Sequence, residues 1–321
     1  MIYHINEFSV DSEFDLPCEM AGASSRLNAK SDMIALRRAS LAHISCTMRK
    51  IRPQLIYDVG DGLLLEPNTT RGMLALHIDF KGRAMTVDCA DDLLEIASAW
   101  AIHAGLGVAT LTHGGIPLHG AGIQMVGRSI ALMADSGAGK STLSWFLLRH
   151  GARFANDDLI PVRMMGEEAI AFPSVSLYPK LSREAVDLHG MEIENLIPAD
   201  YGVGEEEYYV PLPSAQRVAE PSPLAAIFLI RPQPLPKESL LKPKHMRTLV
   251  TSRRLSDEEA TRTLRRNLHA AWLMERWMDG GKLNGLCHDL AARVPIYELS
   301  YPRFFAILPT LAQCVAQLIE S

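Results

Sequence analysis

Cysteine is scarce in this chain of 321 residues, and the few cysteines present are poorly placed for structural chemistry. They are odd in number, lie far apart and form no Cys-x-x-Cys pair: Cys18, Cys46, Cys89, Cys287 and Cys314. This pattern excludes a disulfide framework and a clustered zinc site. Such usage is typical of a reducing compartment, so we expect a cytoplasmic protein.

A cationic excess and a secretory signal are missing too. The formal net charge is −5, so the chain has no broad positive field of the kind that attracts a nucleic-acid backbone. The N-terminus is acidic and has no apolar segment behind basic residues, which argues against a signal peptide. We therefore expect no nucleic-acid partner and no export.

An unbroken apolar run of the membrane-spanning kind is also absent. The longest uncharged stretch, residues 96–121, is interrupted by glycines, histidines and Pro117. Glycine pairs, histidine and proline together are unusual in a lipid-facing span. We interpret this stretch as a buried helix, a loop and a strand, and we expect no membrane partner.

The hydrophobic content of 48% is sufficient for a substantial core in one or two domains. Residues 1 to about 90 contain short alternating apolar runs separated by turn residues, which predicts a small β-rich region. Asp92 and Glu95 resemble a capping box, and they open a helix that we expect to end near Gly105. We divide the chain into a β-rich N-terminal domain, 1–112, and a catalytic domain, 113–321.

The pattern beyond residue 112 predicts alternating strands and helices, hence the α/β class. Expected strands are 118–126, 130–133, 153–155, 159–165, 169–172 and 224–230. We expect one helix at 140–150, with Gly151 after its last turn. A second, amphipathic helix is expected from Ser256, with Glu259 completing its capping box, to just before Gly280.

The most informative motif follows the predicted strand 130–133. It reads Ala134-Asp135-Ser136-Gly137-Ala138-Gly139-Lys140-Ser141, which is the Walker A pattern with alanine at the first glycine position. Its glycines allow successive backbone N–H groups to surround a phosphate, and the following helix adds its positive N-terminal end. We therefore predict an ATP-phosphate site formed by Ser136, Gly137, Ala138, Gly139, Lys140, Ser141 and Thr142.

Two members of this motif have distinct predicted tasks. Lys140 is expected to reach the β- and γ-phosphates, and the Ser141 hydroxyl is expected to hold Mg²⁺. An ordinary glycine-serine turn before a helix is the alternative interpretation. The apolar strand before the motif and the helix after it favour phosphate binding.

Phosphoryl transfer also needs an acidic group, and the sequence offers one pair. The apolar strand 224–230 is followed by Arg231, so it is not an ordinary Walker B strand. Asp157 and Asp158 follow the short strand after the loop helix, and we predict one as proton acceptor and the other as metal ligand. A simple turn cap is the alternative for adjacent aspartates. His119, alone in an apolar strand, is compatible with a core role.

Three motifs in register resemble the catalytic domain of HPr kinase/phosphorylase: His119-Gly120, the loop 135–141 and Asn156-Asp157-Asp158. This resemblance covers residues 113–165. It implies a P-loop core of the HPr kinase and PEP carboxykinase kind, with ATP and Mg²⁺ as cofactors. It also implies that Asp157 acts as base toward a serine, that Asp158 supports the metal, and that His119 lies beside the reaction centre with Lys140.

The chain departs from that family in ways that bear on the acceptor. Thr142 stands where an acidic residue usually follows the loop serine, and no Glu-Arg-Gly-Leu-Gly signature follows residue 165. The ending, with Tyr301-Pro302-Arg303, resembles HPr-kinase-related proteins found beside peptide-maturation enzymes, including lasso-peptide tail kinases. The resemblance thus implies a peptide or small-protein substrate, and a homo-oligomer is left open.

Two further features have open interpretations. A basic stretch is compatible with an acidic substrate or with a solvated surface: Lys237, Lys242, Lys244, Arg247, Arg253 and Arg254. Tyr178-Pro179-Lys180 is compatible with a position near nucleotide or substrate, or with an ordinary turn.

The glycine-rich loop alone is also compatible with several other functions. An HPr serine kinase or a small-molecule kinase would use the same residues. A transporter ATPase or GTPase switch is disfavoured because the Leu-Ser-Gly-Gly-Gln and Asn-Lys-x-Asp motifs are missing. A non-catalytic nucleotide-binding module is disfavoured by the intact Lys140, Ser141 and Asp157. The metal and carboxylate-binding set of a PEP-carboxykinase-like enzyme cannot be assembled.

Overall fold

The fold is known from a computed structural model, which describes most of the chain. The described residues are 2–5, 8–16, 32–42, 49–52, 56–66, 72–135, 137–173, 178–199, 206–235 and 246–320. Ser136 and the lysines of the basic stretch, Lys237, Lys242 and Lys244, lie outside them.

The N-terminal part is β-rich, as predicted. Its strands are β1 Ile2–Ile5, β2 Phe8–Ser12, β3 Asp32–Arg38, β4 Arg49–Arg52, β5 Ile56–Asp58, β6 Gly62–Leu65, β7 Leu74–Asp79 and β8 Ala84–Cys89. They form one sheet in the order β1-β2-β3-β8-β7-β6-β5-β4. In β7, Leu74, Leu76 and Ile78 are buried at every second position, which is the pattern of a sheet with one covered face.

The covering helix is longer than the sequence suggested. Helix α1, Leu94–Trp100, continues through a π-helical turn, Ala101–Gly105, into α2, Leu106–Thr112. The expected end near Gly105 was therefore wrong. A Cβ at Gly105 would collide with the Met85 sulfur, so this glycine permits close packing and does not stop the helix.

Only the helical stretch Asp91–Thr112, among the described residues, has the length and apolar composition of a membrane span. Of its most apolar window, 72% is buried inside the fold, as in a core helix of a folded domain. The burial agrees with the predicted buried helix.

The second half of the chain contains two more sheets. Their strands are β9 Ile116–His119, β10 Ala121–Met125, β11 Arg128–Met133, β12 Arg153–Asn156, β13 Leu159–Met165, β14 Glu168–Ala171, β15 Lys180–Ser182, β16 Ile197–Pro198, β17 Glu207–Tyr209, β18 Ser222–Gln233, β19 Thr251–Arg254 and β20 Ile296–Pro302. The main sheet has the order β12-β10-β11-β18-β14-β13-β9, with β20 beside β18 and β19 beside β20. The small sheet has the order β15-β17-β16.

The expected single strand 118–126 is in fact two strands that part at Gly120. Strand β9 pairs with β13, whereas β10 pairs with β11 and β12. A Cβ at Gly120 would lie 2.6 Å from the Leu132 carbonyl oxygen. Glycine is thus needed where the chain crosses closely over β11 between the two pairings.

The remaining helices are α3 Lys140–Arg149, α4 Arg183–Leu188, α5 Met246–Leu249, α6 Asp257–Arg266, α7 Ala271–Trp277, α8 Gly280–Arg293 and α9 Leu308–Glu320. The Ser256–Glu259 capping box is present at the start of α6. The expected continuous helix up to Gly280 was wrong, because α6 ends at Arg266. Gly280 instead begins α8, where the Asp279 carboxylate accepts a hydrogen bond from the Gly281 N–H at 2.9 Å.

One hydrophobic core extends from the N-terminal sheet into the catalytic half. It joins Ile34 and Ile78 of that sheet to Leu106 of α2, Leu118 of β9 and Leu264 of α6. A second core surrounds α3 and α9. The shared first core lies across residues 112 and 113, and the division into two domains at that point stays a proposal.

Strand directions bring four strand ends to one edge of the main sheet. Strands β11, β18 and β20 are parallel neighbours. Strand β12 has the same direction as β11, because both are antiparallel to β10. The carboxyl ends of β12, β11, β18 and β20 therefore follow one another along this edge. Ligands of open α/β sheets bind at such carboxyl ends.

Candidate active site

The glycine-rich loop joins β11 to α3 at the carboxyl edge of the sheet. Gly137 and Gly139 have φ angles of 74° and 92°, which L side chains rarely adopt, so the two glycines meet a backbone requirement. The Ala138 N–H donates to the Asp135 carbonyl at 3.1 Å. Lys140 is the first residue of α3, and Ser141 and Thr142 follow in its first turn. The described part of the loop therefore has the strand, turn and helix that the motif predicted.

Two side chains from distant strands contact this loop. The Tyr301 hydroxyl donates to the Ala138 carbonyl at 3.5 Å, and burial raises the pKa of Tyr301 to about 12, so the phenol keeps its proton. Arg231, at the end of β18, pairs with Asp135 at 2.9 Å. The loop is thus contacted by one side chain from β20 and by one from β18.

Lys140 and His119 face each other. The Lys140 ammonium lies 3.2 Å from His119 Nε2. Burial, together with the positive charge of Lys140, lowers the pKa of His119 to about 4. The imidazole is therefore neutral at neutral pH, and its Nε2 can accept a hydrogen bond from the ammonium group. His119 belongs to the same site as the loop lysine and is not an isolated core residue.

Asp157 occupies the turn between β12 and β13, and its carboxylate is buried. Its Oδ2 accepts the Lys180 backbone N–H at 2.7 Å, and its Oδ1 accepts the Asp158 N–H at 3.1 Å. Burial first, and then the negative charge of Asp158, raise the pKa of Asp157 to about 7. A carboxyl group with this pKa exchanges its proton readily near neutral pH, as a general base must.

Asp158 differs from Asp157 in its backbone conformation and in the direction of its pKa shift. Its φ angle is +62°, which is uncommon for a residue other than glycine. Its Oδ2 lies 3.0 Å from the Lys180 ammonium. Burial alone would raise the pKa of Asp158, but the positive charges of Lys180 and Lys140 outweigh burial and lower that pKa well below its usual range. The pair therefore combines a proton-exchanging carboxyl with a permanently ionised one.

Lys180 is a site residue whose importance sequence reasoning missed. Its ammonium also contacts Glu207 at 3.0 Å, and its backbone N–H contacts Asp157. The Tyr178-Pro179-Lys180 segment is visible in the sequence, but no spacing rule joins it to residues more than twenty positions earlier. The small sheet β15-β17-β16 makes that connection, because Lys180 pairs with Tyr209 of β17, the strand that also carries Glu207.

Asn156 fixes the start of the acidic turn. Its buried side-chain amide donates to the Phe172 carbonyl at 2.8 Å and to the Leu159 carbonyl at 3.2 Å. A Cβ at Gly122 would lie 2.5 Å from the Asn156 carbonyl oxygen Oδ1. The first residue of the Asn-Asp-Asp motif is thus structural, and the two aspartates that follow it face the site.

A cleft opens at the same edge, beyond β20. It has a volume of about 220 Å³ and is lined by Gln233, Pro234, Thr248, Leu249, Thr251, Ser300 and Pro302. None of these side chains is charged. Tyr301, between two of the lining residues, contacts the loop. Along the edge, the loop therefore lies between the acidic turn at the end of β12 and the cleft at the end of β20.

Other predicted features lie away from this centre. Arg253 pairs with Glu259 at 2.9 Å and with Glu298 at 3.5 Å, so this part of the basic stretch is neutralised. Arg247 and Arg254 are exposed. Among the described residues, no group of three or more His, Cys, Asp or Glu side chains is placed to hold a metal ion.

Comparison with known proteins agrees with the sequence resemblance. The HPr kinase/phosphorylase of Lachnoclostridium phytofermentans is 28% identical over 78 residues, which are 24% of this chain and 24% of that protein. The HPr kinase/phosphorylase of Caldanaerobacter subterraneus subsp. tengcongensis is 29% identical over 89 residues, 28% of each chain. The chain therefore matches only about a quarter of the length of these curated relatives.

No family model matches the chain. Among solved structures, the Hpr(Ser) kinase/phosphatase of Coxiella burnetii is 12% identical with a TM-score of 0.31, covering 64% of this chain and 88% of that one. The recognised likeness to HPr kinases is confirmed by the curated relatives. The predicted α/β class with a P-loop core and a smaller β-rich region agrees with the sheets and helices described above.

Proposed function

We propose that this protein is an ATP-dependent kinase that transfers a γ-phosphate to a serine hydroxyl of a peptide or small protein. One observation carries the proposal: Lys140 of the glycine-rich loop, His119 and the Asp157–Asp158 pair meet at one edge of the sheet. These are the groups that phosphoryl transfer requires, namely a phosphate cradle, a cation, a base and an acidic metal ligand. The similarity to HPr kinases supports the same reaction class.

In this mechanism Asp157 is the general base. The acceptor oxygen forms a bond to the γ-phosphorus while the bond between that phosphorus and the β,γ-bridging oxygen breaks, and ADP leaves with the electron pair. The acceptor proton passes to the Asp157 carboxylate. Its raised pKa makes Asp157 a stronger base than an ordinary aspartate, and the backbone N–H of Lys180 keeps the carboxylate oriented.

Mg²⁺ fits the residues beside the loop. It prefers oxygen ligands and keeps several waters and phosphate oxygens, so one or two protein ligands are sufficient. The Ser141 hydroxyl and the ionised Asp158 carboxylate are the groups that we assign to it. When bound, the ion supplies positive charge to the phosphate oxygens. The ion pair of Asp158 with Lys180 keeps this carboxylate ionised beforehand.

Lys140 and His119 act on the donor side. We assign the Lys140 ammonium to the β- and γ-phosphates, where it neutralises the charge that develops on the leaving oxygen. The neutral His119 imidazole accepts from Lys140 and so directs the ammonium. The backbone groups of 136–142 complete the cradle. We place this chemistry in the cytoplasm, in keeping with the scarce and scattered cysteines of the sequence.

The nucleoside of ATP is assigned to the cleft beyond β20. In-line transfer places acceptor and leaving group on opposite sides of the phosphoryl group. The base Asp157 follows β12, two strands from β11 on one side, and the cleft follows β20, two strands away on the other. Each of these separations is about 10 Å at the usual strand spacing. The uncharged lining, with an amide, hydroxyls and prolines, suits a heteroaromatic base and a ribose.

This assignment predicts a selective loss in the variant Thr251→Trp. Thr251 is exposed, lines the cleft and pairs with Ser300 of the neighbouring strand, so an indole there is expected to occupy the cleft. We expect the Kd for ATP to rise about tenfold or more, the scale of losing a well-buried group, while inorganic tripolyphosphate binds as before. Isothermal titration with both ligands measures this. Arg254→Trp, on the opposite face of the same strand, is the matched control and should bind ATP normally.

The acceptor is proposed to be a serine at or near the C-terminus of a lasso-type precursor peptide. The Asp157 base suits a serine alcohol, whether that serine belongs to HPr or to a peptide. Two points favour a peptide over HPr itself: the Glu-Arg-Gly-Leu-Gly signature is missing, and the chain ending resembles peptide tail kinases. A disordered tail has to order on binding, so we expect modest affinity, with specificity from the few residues beside the serine.

The precursor encoded nearest the gene provides the test. With ATP and Mg²⁺, we expect mass spectrometry to detect one added phosphate that is absent when the terminal serine is replaced by alanine. HPr and a free sugar or amino-acid hydroxyl are the parallel acceptors. Efficient phosphorylation of one of these, with none on the peptide, would overturn the peptide assignment and leave the kinase assignment in place.

A further inference from the structure

The segment between α6 and α7 forms an unexpected partner for β9. The His119 N–H donates to the Asn267 carbonyl at 2.8 Å, and the His269 N–H donates to the Pro117 carbonyl at 2.8 Å. Leu118 and Leu268 form an isolated antiparallel bridge. Residues 267–269 thus continue the sheet on the free side of β9, opposite β13.

This pairing places the His269 ring against the acidic turn. His269 Nδ1 lies 3.2 Å from the Asp158 carbonyl oxygen. A carbonyl oxygen can only accept, so Nδ1 carries the proton in this hydrogen bond. The same oxygen lies 3.3 Å from the Gly120 N–H. Two donors from different parts of the chain therefore hold the peptide group that follows Asp158.

The held peptide group belongs to a residue in an unfavourable conformation. With φ at +62°, Asp158 occupies the left-handed region, which is uncommon for residues other than glycine. Such a conformation persists only where its surroundings determine it. The direction of the Asp158 side chain toward Lys180 depends on this backbone angle, because φ sets where the Cβ points.

The rest of the fold leaves little freedom for the His269 ring. A Cβ on Gly107 of α2 would lie 3.1 Å from His269 Cδ2, so the helix approaches the ring closely. The rings of His103 and His119 flank it, each with its centroid 6.2 Å from that of His269. Helix α2 therefore packs closely against the ring.

We propose that His269 is a positioning residue for phosphoryl transfer, which holds Asp158 in its left-handed conformation through Nδ1–H. This inference rests on the proposed kinase function. It assigns a role in that reaction to the α6–α7 connection, more than a hundred positions from the acidic pair in sequence.

The experiment compares three substitutions of His269 in the full-length protein. Asparagine places an amide N–H at the same number of bonds from Cβ as Nδ1, whereas glutamine places it one bond further away and alanine has no donor. We expect His269→Ala and His269→Gln to lower kcat about tenfold, the value of one buried hydrogen bond, with the KM for ATP nearly unchanged. His269→Asn should recover most of kcat.

His113→Ala is the matched control. The His113 ring also bonds a backbone carbonyl through Nδ1, at 2.8 Å from Ala109, but it packs on Phe8 away from the acidic turn. It should lower the thermal unfolding midpoint without changing kcat. Two results would overturn the positioning role. One is an equal kcat for His269→Gln and His269→Asn. The other is that every His269 variant behaves like the control, with a lower thermal unfolding midpoint and an unchanged kcat. A wild-type protein inactive toward every acceptor would overturn the kinase function as well.

Discussion

Replacing Lys140 with alanine is expected to weaken ATP binding and to lower turnover by on the order of 10³-fold or more, since charge stabilisation dominates phosphoryl transfer. The ammonium lies beside His119 and next to the glycine-rich loop. Lys180, the other lysine near the acidic pair, is engaged with Asp158 and Glu207 at 3.0 Å each. Its two ion pairs leave it poorly placed to substitute for Lys140.

The measurement is release and transfer of label from γ-labelled ATP, together with isothermal titration of ATP. Lys282→Ala provides a matched control, because Lys282 is an exposed lysine in the first turn of α8. Its activity should be that of the wild type. Turnover by Lys140→Ala at the wild-type rate would remove the loop from the mechanism. Such a result would favour the alternative in which the loop is a nucleotide pocket that contributes to stability and not to catalysis.

Local patterns in the sequence predicted those parts of the site that are continuous in the chain. The glycines of the loop are needed for positive φ angles at Gly137 and Gly139, and this requirement is visible as a motif. The hairpin β13–β14 and the capping box of α6 also follow from local chemistry. His119, Lys140 and the aspartates could be grouped because a family resemblance supplied the spacing.

Residues that reach the site through tertiary pairing could not be predicted. Tyr301 contacts the loop only because β20 lies beside β18, and Lys180 reaches Asp158 only because β15 joins the small sheet. His269 depends on a break between α6 and α7 that helical periodicity conceals, since apolar residues continue through it. At Gly105 a local signal was present, but it was ambiguous. Glycine is favoured both at a helix end and where a helix packs closely, and here it packs against Met85.

The Asp157→Asn variant is expected to bind Mg·ATP normally and to lose transfer by about 10²-fold or more, the usual scale for removing a general base. An asparagine keeps the shape, and its carbonyl oxygen can still accept the Lys180 backbone N–H that now contacts Asp157 at 2.7 Å. What it lacks is a group that accepts the acceptor proton. The same substitution also removes a charge that burial disfavours.

The stability of the Asp157→Asn variant shows whether it has lost only the chemical step or has also lost its fold. The pKa of Asp157 is raised in the fold to about 7, so folding favours the protonated form. Wild-type stability therefore falls as pH rises from the ordinary aspartate range through about 7, and an asparagine has no such loss. Without nucleotide and Mg²⁺, we expect Asp157→Asn to unfold at pH 8 no earlier than the wild type.

Single-turnover transfer, ATP titration and thermal unfolding on one preparation complete the test of Asp157. Asp289→Asn, an exposed position on α8, is the control and should match the wild type in all three. If Asp157→Asn instead loses nucleotide affinity while the chemical step stays intact, Asp157 is a metal ligand and the base has to be sought elsewhere.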